Sequence, residues 1–501
     1  MLYLVRLLDL IKPFQSIVPE IQLPYEKIIF DEKIVYTVAA AAIYLLLGLP
    51  LNGVNDDKIV DPFSWLRPGF GSRAGTCLEF GVFPAAFAAF FWQIVAGKKL
   101  LKVDFSTSSD RRLFQTLQKL TSFILAFVFS ILLVFSNYFE PLDFFSKTEE
   151  GSSAIASLSI VGKSLIVVEL TVSNAIVTLL IELLDKGYGF GPGILAYIAV
   201  SSATTLATSM FGLTSVVTSR GSESSGALIQ LVRNLFSSKS WAYAVYEAFS
   251  RNTAANLTQV YIAILAFFAT IYLSNCRYEI SVKSTKVRGM TTVYPIKLLY
   301  CGALPVLFTF SIIYFLNIFG FTLTRIFANS NYIKYISLVG HWSLDAETKR
   351  TYNLDNGLLY LISAAPTSAN TVISIIRPFT FLFFVVMVST YFAKAWPFMS
   401  GSAARSVAKT LKDQDITLVG RRDVAVAKEL GKIISPASRS GALFSSAIVA
   451  AAECCGKGKG FVFSTCVGIL SGLSIMEDLV AEWQQTGAAA NSQFSQFLPT
   501  Q

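Results

Sequence analysis

Residues 61–97 read DPFSWLRPGFGSRAGTCLEFGVFPAAFAAFFWQIVAG, two unlike stretches placed end to end. The second half, about 80–97, is apolar except for Gln93 and has close to the roughly 20 residues that a bilayer core of about 30 Å asks of a helix. The first half, DPFSWLRPGFGSRAG, is too short and too polar to span, yet Phe63, Trp65, Leu66 and Phe70 are too apolar to want water. Irregular backbone at membrane depth is tolerated only where protein buries it or a cavity receives it. The stretch therefore predicts a re-entrant segment leading into a broken helix, with Gly81 and Pro84 at the break where a mid-membrane gap can open.

The rest of the chain agrees. It has 501 residues, enough for three or four soluble domains by length, but 53% are hydrophobic and 15% charged, against about 25% charged in soluble proteins. Mean hydropathy is +0.56. Ten spans are expected, at about 34–51, 80–97, 119–138, 155–181, 191–211, 256–274, 297–327, 376–396, 437–455 and 460–480. The fold class is an all-α polytopic membrane protein of ten transmembrane helices. Ten divide into two halves of five, about 34–211 and 256–483, and an odd number per half turns the second upside down relative to the first, as in inverted repeats. Lys and Arg are more numerous in the N-terminus and the loops after spans two, four, six and eight than in the opposite loops, so the positive-inside rule makes that side, with both termini, cytoplasmic. Residues 1–33 open with Leu4, Leu7, Leu8 and Ile11 on one face of a short helix expected to lie flat on the membrane. Residues 212–255 form the loop on the other side, and the uncharged tail 484–501 is expected to lack structure.

Forty-one Lys and Arg against 32 Asp and Glu leave a surplus of +9, which concentrates in two cytoplasmic loops. In 275–296, Tyr278, Ile280 and Val282 alternate with polar residues up to Lys286 and Arg288, the pattern of a β-hairpin with a basic tip. Residues 397–435 read as helix, turn, helix, with Ser402 a candidate cap and Arg421 and Arg422 at the break. Such projections suit phosphates; the plainer reading is positive-inside excess alone. KGYGFGPGI, 186–194, is a sharply bent approach to span five and not a nucleotide turn, since no βαβ context surrounds it.

No reaction is nominated. The one histidine, His341, falls in a polar loop, the six cysteines contain no CxxC pair, and Cys454, Cys455 and Cys466 read as buried thiols. No metal site, cofactor or catalytic residue is expected. Glu169 and Glu477 lie in spans, where acids more often pair or line a path than do acid–base chemistry. The sequon at Asn256 abuts span six, which makes glycosylation there doubtful.

The stretches IKPFQSIVPEI, DPFSWLR, LEFGVFP, QIVAG, KGYGFGPGI, KSTKVRG with VYPIKLLY, and SGSAARSVAKTLKDQ followed by GRRD resemble, in order and over almost the whole chain, the SecY and Sec sixty-one α family of protein-conducting channels. VYPIKLLYCG and SGSAARSVAKTLKDQDITLVGRRD look closest to the family's fungal Sec sixty-one homologue branch. The resemblance implies a translocon channel in the endoplasmic reticulum membrane that passes secretory chains across and releases apolar segments sideways. Its implied partners are the large ribosomal subunit (rRNA and exit-tunnel proteins), small single-span β and γ subunits, signal sequences and nascent chains, membrane lipid, and the signal recognition particle receptor. It implies a plug at about 61–73 carrying Phe63, Trp65, Leu66 and Arg67. It further implies a pore ring of Val82, Ala86, Ile194, Ile198, Leu307 and Val467, ribosome contacts at Lys286, Arg288, Arg421 and Arg422, and a lateral gate between spans two and three and spans seven and eight. An aliphatic ring has no group to hold ions and seals by dewetting. Two departures stand out: Ala86 where a larger aliphatic is common, and Phe87, Phe129 and Phe315 at gate positions that are polar in many relatives.

A secondary transporter built from inverted halves is the rival reading. It would want paired charges at midplane breaks, where this chain has Ala and Phe. An intramembrane enzyme is weaker still, with no nucleophile and base together. Without the resemblance, channel and transporter stand level.

Overall fold

The computed structural model describes residues 7–54, 59–101, 103–104, 107–139, 160–218, 221–237, 240–251, 255–284, 291–328, 336–344, 352–364, 371–419, 423–455 and 460–485. Ten long helices are present among them: α1 (Phe30–Leu46), α2 (Phe83–Gly97), α3 (Ser108–Phe135), α4 (Ile160–Leu183), α5 (Gly193–Phe211), α6 (Leu257–Asn275), α7 (Leu304–Ile326), α8 (Thr371–Met399), α9 (Asp423–Cys455) and α10 (Phe461–Gln485). Six of the seven helices from α3 to α9, together with α10, are long and apolar enough to cross a bilayer. The exception, α9, is apolar only beyond Pro436; its first turns carry Lys428, Glu429 and Lys432. At about 1.5 Å per residue, the 15 residues of α2 fall short of a bilayer core of about 30 Å. The compact segment ahead of α2 takes up the missing depth.

One large apolar core joins the halves, combining Phe83, Phe90, Phe129 and Ile198 from the first with Leu307, Phe310, Phe381, Phe463 and Val467 from the second. A smaller one packs α1 against α4 and α5 through Tyr44, Val177 and Tyr197.

Beyond the helical bundle, β1 (Arg277–Ser284) and β2 (Thr291–Lys297) form the expected hairpin, with Arg277 opposite Lys297 and Lys283 opposite Thr291. The second loop differs from the helix–turn–helix reading. Its helix, Ala404–Asp413, is followed by a strand, β3 (Ile416–Leu418), which pairs with β1 so that the two loops share a sheet of order β2-β1-β3. A three-residue strand between helical runs leaves almost no period to read; what fixes it in the fold is the apolar core of Ile280, Val282, Ile296, Leu411, Leu418 and Leu430. Ser402 is not the cap: Ala403 holds that position without a side-chain bond, and the Ser402 carbonyl accepts from the Tyr300 hydroxyl at 2.7 Å.

Three other expectations are amended. The N-terminal helix, Leu7–Ile11, turns Leu8 and Ile11 onto Leu113 and Leu117 of α3, so these two side chains meet protein, while Leu10 is exposed; Leu4 lies outside the described residues. His341 opens a strand, His341–Leu344, paired with Tyr352–Asn356. Cys466 is buried, but Cys454 is half-buried and Cys455 exposed, because α9 ends there. The tail from 486 lies outside the described residues.

Candidate functional site

The segment 59–82 folds into the bundle between α1, α2, α7 and α10. Its regular part is one turn, Arg67–Phe70, closed by Gly71 in the left-handed region at φ 64°. Phe63, Trp65, Leu66, Arg67 and Phe70 are all buried. Phe70 stacks on Tyr314 of α7 with ring centroids 5.5 Å apart, and its carbonyl accepts from the Val82 N–H at 3.0 Å. The Pro68 carbonyl accepts from Ser464 of α10 at 2.9 Å, and that of Gly71 from Tyr44 of α1 at 3.0 Å. Gly69 is required by closeness: a Cβ there would come within 1.9 Å of the Phe463 ring.

Arg67 holds the segment's fold. Its Nε donates to Asp61 at 2.6 Å, its Nη1 to the Glu79 carbonyl at 2.8 Å, and its Nη2 to the Glu79 carboxylate and to the Tyr138 hydroxyl, the latter at 2.9 Å. The other Glu79 oxygen accepts from the Gly75 N–H at 2.7 Å. The role of Glu79 and Tyr138 was not foreseen from sequence. The available signal was a lone acid, Glu79, at the start of an apolar run 12 residues after Arg67.

Of the six residues assigned to the constriction, Ala86, Ile198, Leu307 and Val467 are buried in the principal core together with Phe63, Leu66 and Phe70. Ile194 is half-buried and packs against both cores, while Val82 is buried in the smaller one beside Tyr44, Leu78 and Tyr197. The structure thus gathers four of the six, links Ile194 to them, and sets Val82 next to the folded segment through its backbone. Ile194 also borders a cavity of about 130 Å³ whose wall carries Gln118, Lys119, Glu182 and Lys186. Lys119 and Lys186 both pair with Glu182 there, the latter at 2.9 Å.

Phe87, Phe129 and Phe315 meet where α2 and α3 face α7. Phe87 and Phe315 are stacked at 4.7 Å with planes 5° apart, and Phe129 meets Phe315 edge-on at 5.7 Å. The seam runs on in residues not singled out from sequence. Phe90 of α2 packs edge-on against Phe308 of α7 at 5.8 Å and Phe392 of α8 at 5.6 Å. The spacing of Phe83, Phe87 and Phe90 at three and four residues was the legible sign of such a stripe. Between α7 and α8 the hydroxyls of Thr309 and Ser389 bond at 2.8 Å. Good aromatic pairs contribute about 0.5–1.5 kcal/mol each, while lipid is nearly as apolar as the seam, so little hydrophobic force opposes its opening. Replacing Phe87, Phe129 and Phe315 by Thr, Gln and Asn should therefore shift the hydrophobicity needed for a test segment to enter lipid. A Leu/Ala-graded series of segments in cells measures it; an unshifted threshold would show that these rings do not set it.

Lys286, Arg288, Arg421 and Arg422 lie outside the described residues. The elements that carry them are described and lie together, since β1 pairs both with β2 and with β3. Glu477 pairs with Lys297, and Glu169 accepts from the Asn52 side chain at 2.7 Å. Asn256 is buried as the cap of α6, its amide donating to the carbonyls of Phe249 and Arg251 at 2.7 and 3.0 Å.

The sequence model of the SecY family matches residues 76–479. The chain is 37% identical to the Sec sixty-one protein homolog of Saccharomyces cerevisiae, covering 96% of each. It is 34% identical to the protein transport protein Sec61 subunit alpha of Dictyostelium discoideum, covering 98% of this chain and 99% of the relative. Among solved structures, it superposes on a chain of the idle yeast Ssh1 complex bound to the yeast 80S ribosome with a TM-score of 0.73, at 35% identity and covering 99% of both. A protein-conducting channel structure superposes with a TM-score of 0.74 at 23% identity, covering 94% of this chain and 96% of that one, a likeness of fold.

Proposed function

The chain belongs to the SecY family, and from that membership we propose that it is the channel-forming α subunit of an endoplasmic reticulum protein translocon. Secretory chains pass between its halves and hydrophobic segments leave sideways between α2–α3 and α7–α8. The observation that carries the reading is the buried segment 61–73, which fills the space between the halves as a stopper and is held by reversible polar contacts to α1, the end of α3 and α10. The ring of Val82, Ala86, Ile194, Ile198, Leu307 and Val467 is the constriction, and Phe87, Phe129 and Phe315 line the gate. The channel does no covalent chemistry, and translation supplies the energy. Both termini face the cytoplasm, and single-span β and γ subunits and the signal recognition particle receptor complete its partners.

Ribosome binding falls to the shared sheet of the two basic loops. The superposition on a ribosome-bound relative supports this, as does the sheet that joins the strands leading into the two loops. Reversing charge at Arg288, Arg421 and Arg422 should weaken co-sedimentation with large ribosomal subunits and leave membrane insertion intact. Removing each cation that neutralises a phosphate should flatten the logarithmic salt dependence by roughly one unit. Binding and salt slope unchanged in the triple variant would assign these charges to positive-inside bias alone.

A further inference from the structure

Between α5 and α6 the chain forms a hairpin, Ser215–Thr218 with Gly221–Ser224, and two helices, Ala227–Ser237 and Trp241–Ser250. This unit is built inside out. Its interior is polar: Gln230 accepts from the Ser224 N–H at 2.7 Å and donates to Asn234 at 2.7 Å, and Asn234 donates to Glu247 at 3.2 Å. Arg251 and Glu223 form a buried pair at 2.9 Å. Its exterior is mainly apolar, with Arg233 the exposed charge on the first helix. On the first helix Val232, Leu235 and Phe236 occupy the side opposite Gln230 and Asn234, with Phe236 90% exposed. Trp241, at 76%, and Tyr246, at 68%, continue the face on the second helix. A helix facing water has the reverse pattern.

The surroundings identify what covers this face. Phe249 stacks on Tyr261, ring centroids 6.0 Å apart, and Tyr261 lies in the second turn of α6. Tyr261, Leu265, Phe268 and Tyr272 form one exposed stripe down α6, the stripe that meets acyl chains if α6 crosses the membrane. Phe211 and Leu213, exposed where α5 ends, border the unit from its other side. The apolar face is therefore continuous with two lipid-facing surfaces, and it is edged by Trp and Tyr, residue types that favour the headgroup boundary. We propose that the helices Ala227–Ser237 and Trp241–Ser250 are a membrane-embedded platform, lying in the interface of the leaflet where α5 ends and α6 begins, with phospholipid as the occupant of its apolar face. Because this unit joins the two halves, lipid contact there holds the connection in the plane of the membrane while the halves move.

The test uses the full chain reconstituted in phosphatidylcholine bilayers with brominated acyl chains. The difference in emission between wild type and Trp241→Phe isolates Trp241, and a Phe236→Trp change on the Trp241→Phe background adds a reporter at the most exposed position. Brominated lipid should lower both signals by about half or more, as for a side chain seated at the headgroup boundary, and aqueous iodide should have little effect. Quenching by iodide and not by lipid would show a face turned to water. Resistance of both reporters to both quenchers would show a face covered by protein. Either result overturns the proposal.

Discussion

Replacing Arg67 by Met should release segment 61–73, the proposed stopper, and make the resting channel leak. Arg67 is buried between two carboxylates, Asp61 and Glu79, and also donates to Tyr138. Methionine keeps much of the volume but orphans both acids in a dry site. Breaking a buried pair by removing one partner costs about 3–5 kcal/mol, and the segment avoids that cost by leaving the site for water. At about 1.4 kcal/mol per factor of ten, the closed arrangement should lose at least a hundred-fold, on the order of that cost, relative to the displaced one. Conductance of reconstituted channels without ribosomes measures it. Adding Glu79→Gln to the Arg67→Met chain should restore part of the seal, because it removes one orphaned charge. A quiet Arg67→Met channel would mean that the apolar contacts of Phe63, Leu66 and Phe70 suffice alone.

The second large effect is expected at Ile198, fully buried at the centre of the principal core. Aspartate there should wet the proposed constriction and conduct ions with segment 61–73 still in place, since an aliphatic ring excludes ions by offering them nothing to bind. An acid at membrane depth costs at least about 2.5–3.5 kcal/mol on an insertion scale unless water or a partner reaches it. At Ile198, one helical turn beyond Ile194 at the cavity wall, a pore that wets supplies that water. The same change at Leu265, exposed on α6, faces lipid, cannot be wetted from a pore, and should lower the yield of inserted protein without raising conductance. Equal leak from wild type and Ile198→Asp would take Ile198 out of the constriction.

Most of the bundle was legible because a span declares itself by length and apolarity. The ten helices fall at the ten expected places, most of them with ends shifted by a few residues. The largest extensions are at α9, which begins at Asp423 and not near 437, and at α3, which begins at Ser108 and not near 119, since in both a polar stretch continues the helix beyond the apolar part. The re-entrant segment was legible for a different reason: its aromatics contradict its shortness. What escaped was whatever depends on partners distant in sequence. Nothing near Glu79 or Tyr138 marks them as the companions of Arg67, and nothing in Ile416–Leu418 announces an edge to a hairpin more than 130 residues earlier. The phenylalanine seam was half legible, because its helical spacing on α2 shows in the sequence while its partners on α7 and α8 appear only in the fold.

If this chain is a translocation channel, polypeptide passes between the halves and through the ring. Site-specific photocrosslinking on ribosomes stalled with a secretory chain of increasing length tests that passage, with the photoreactive residue at Leu307 in the core or at Leu265 on the outer face of α6. Adducts to the nascent chain are expected from Leu307 once the chain is long enough to reach it, and none from Leu265. Adducts from both positions alike, or from neither at any length, would contradict passage through the ring.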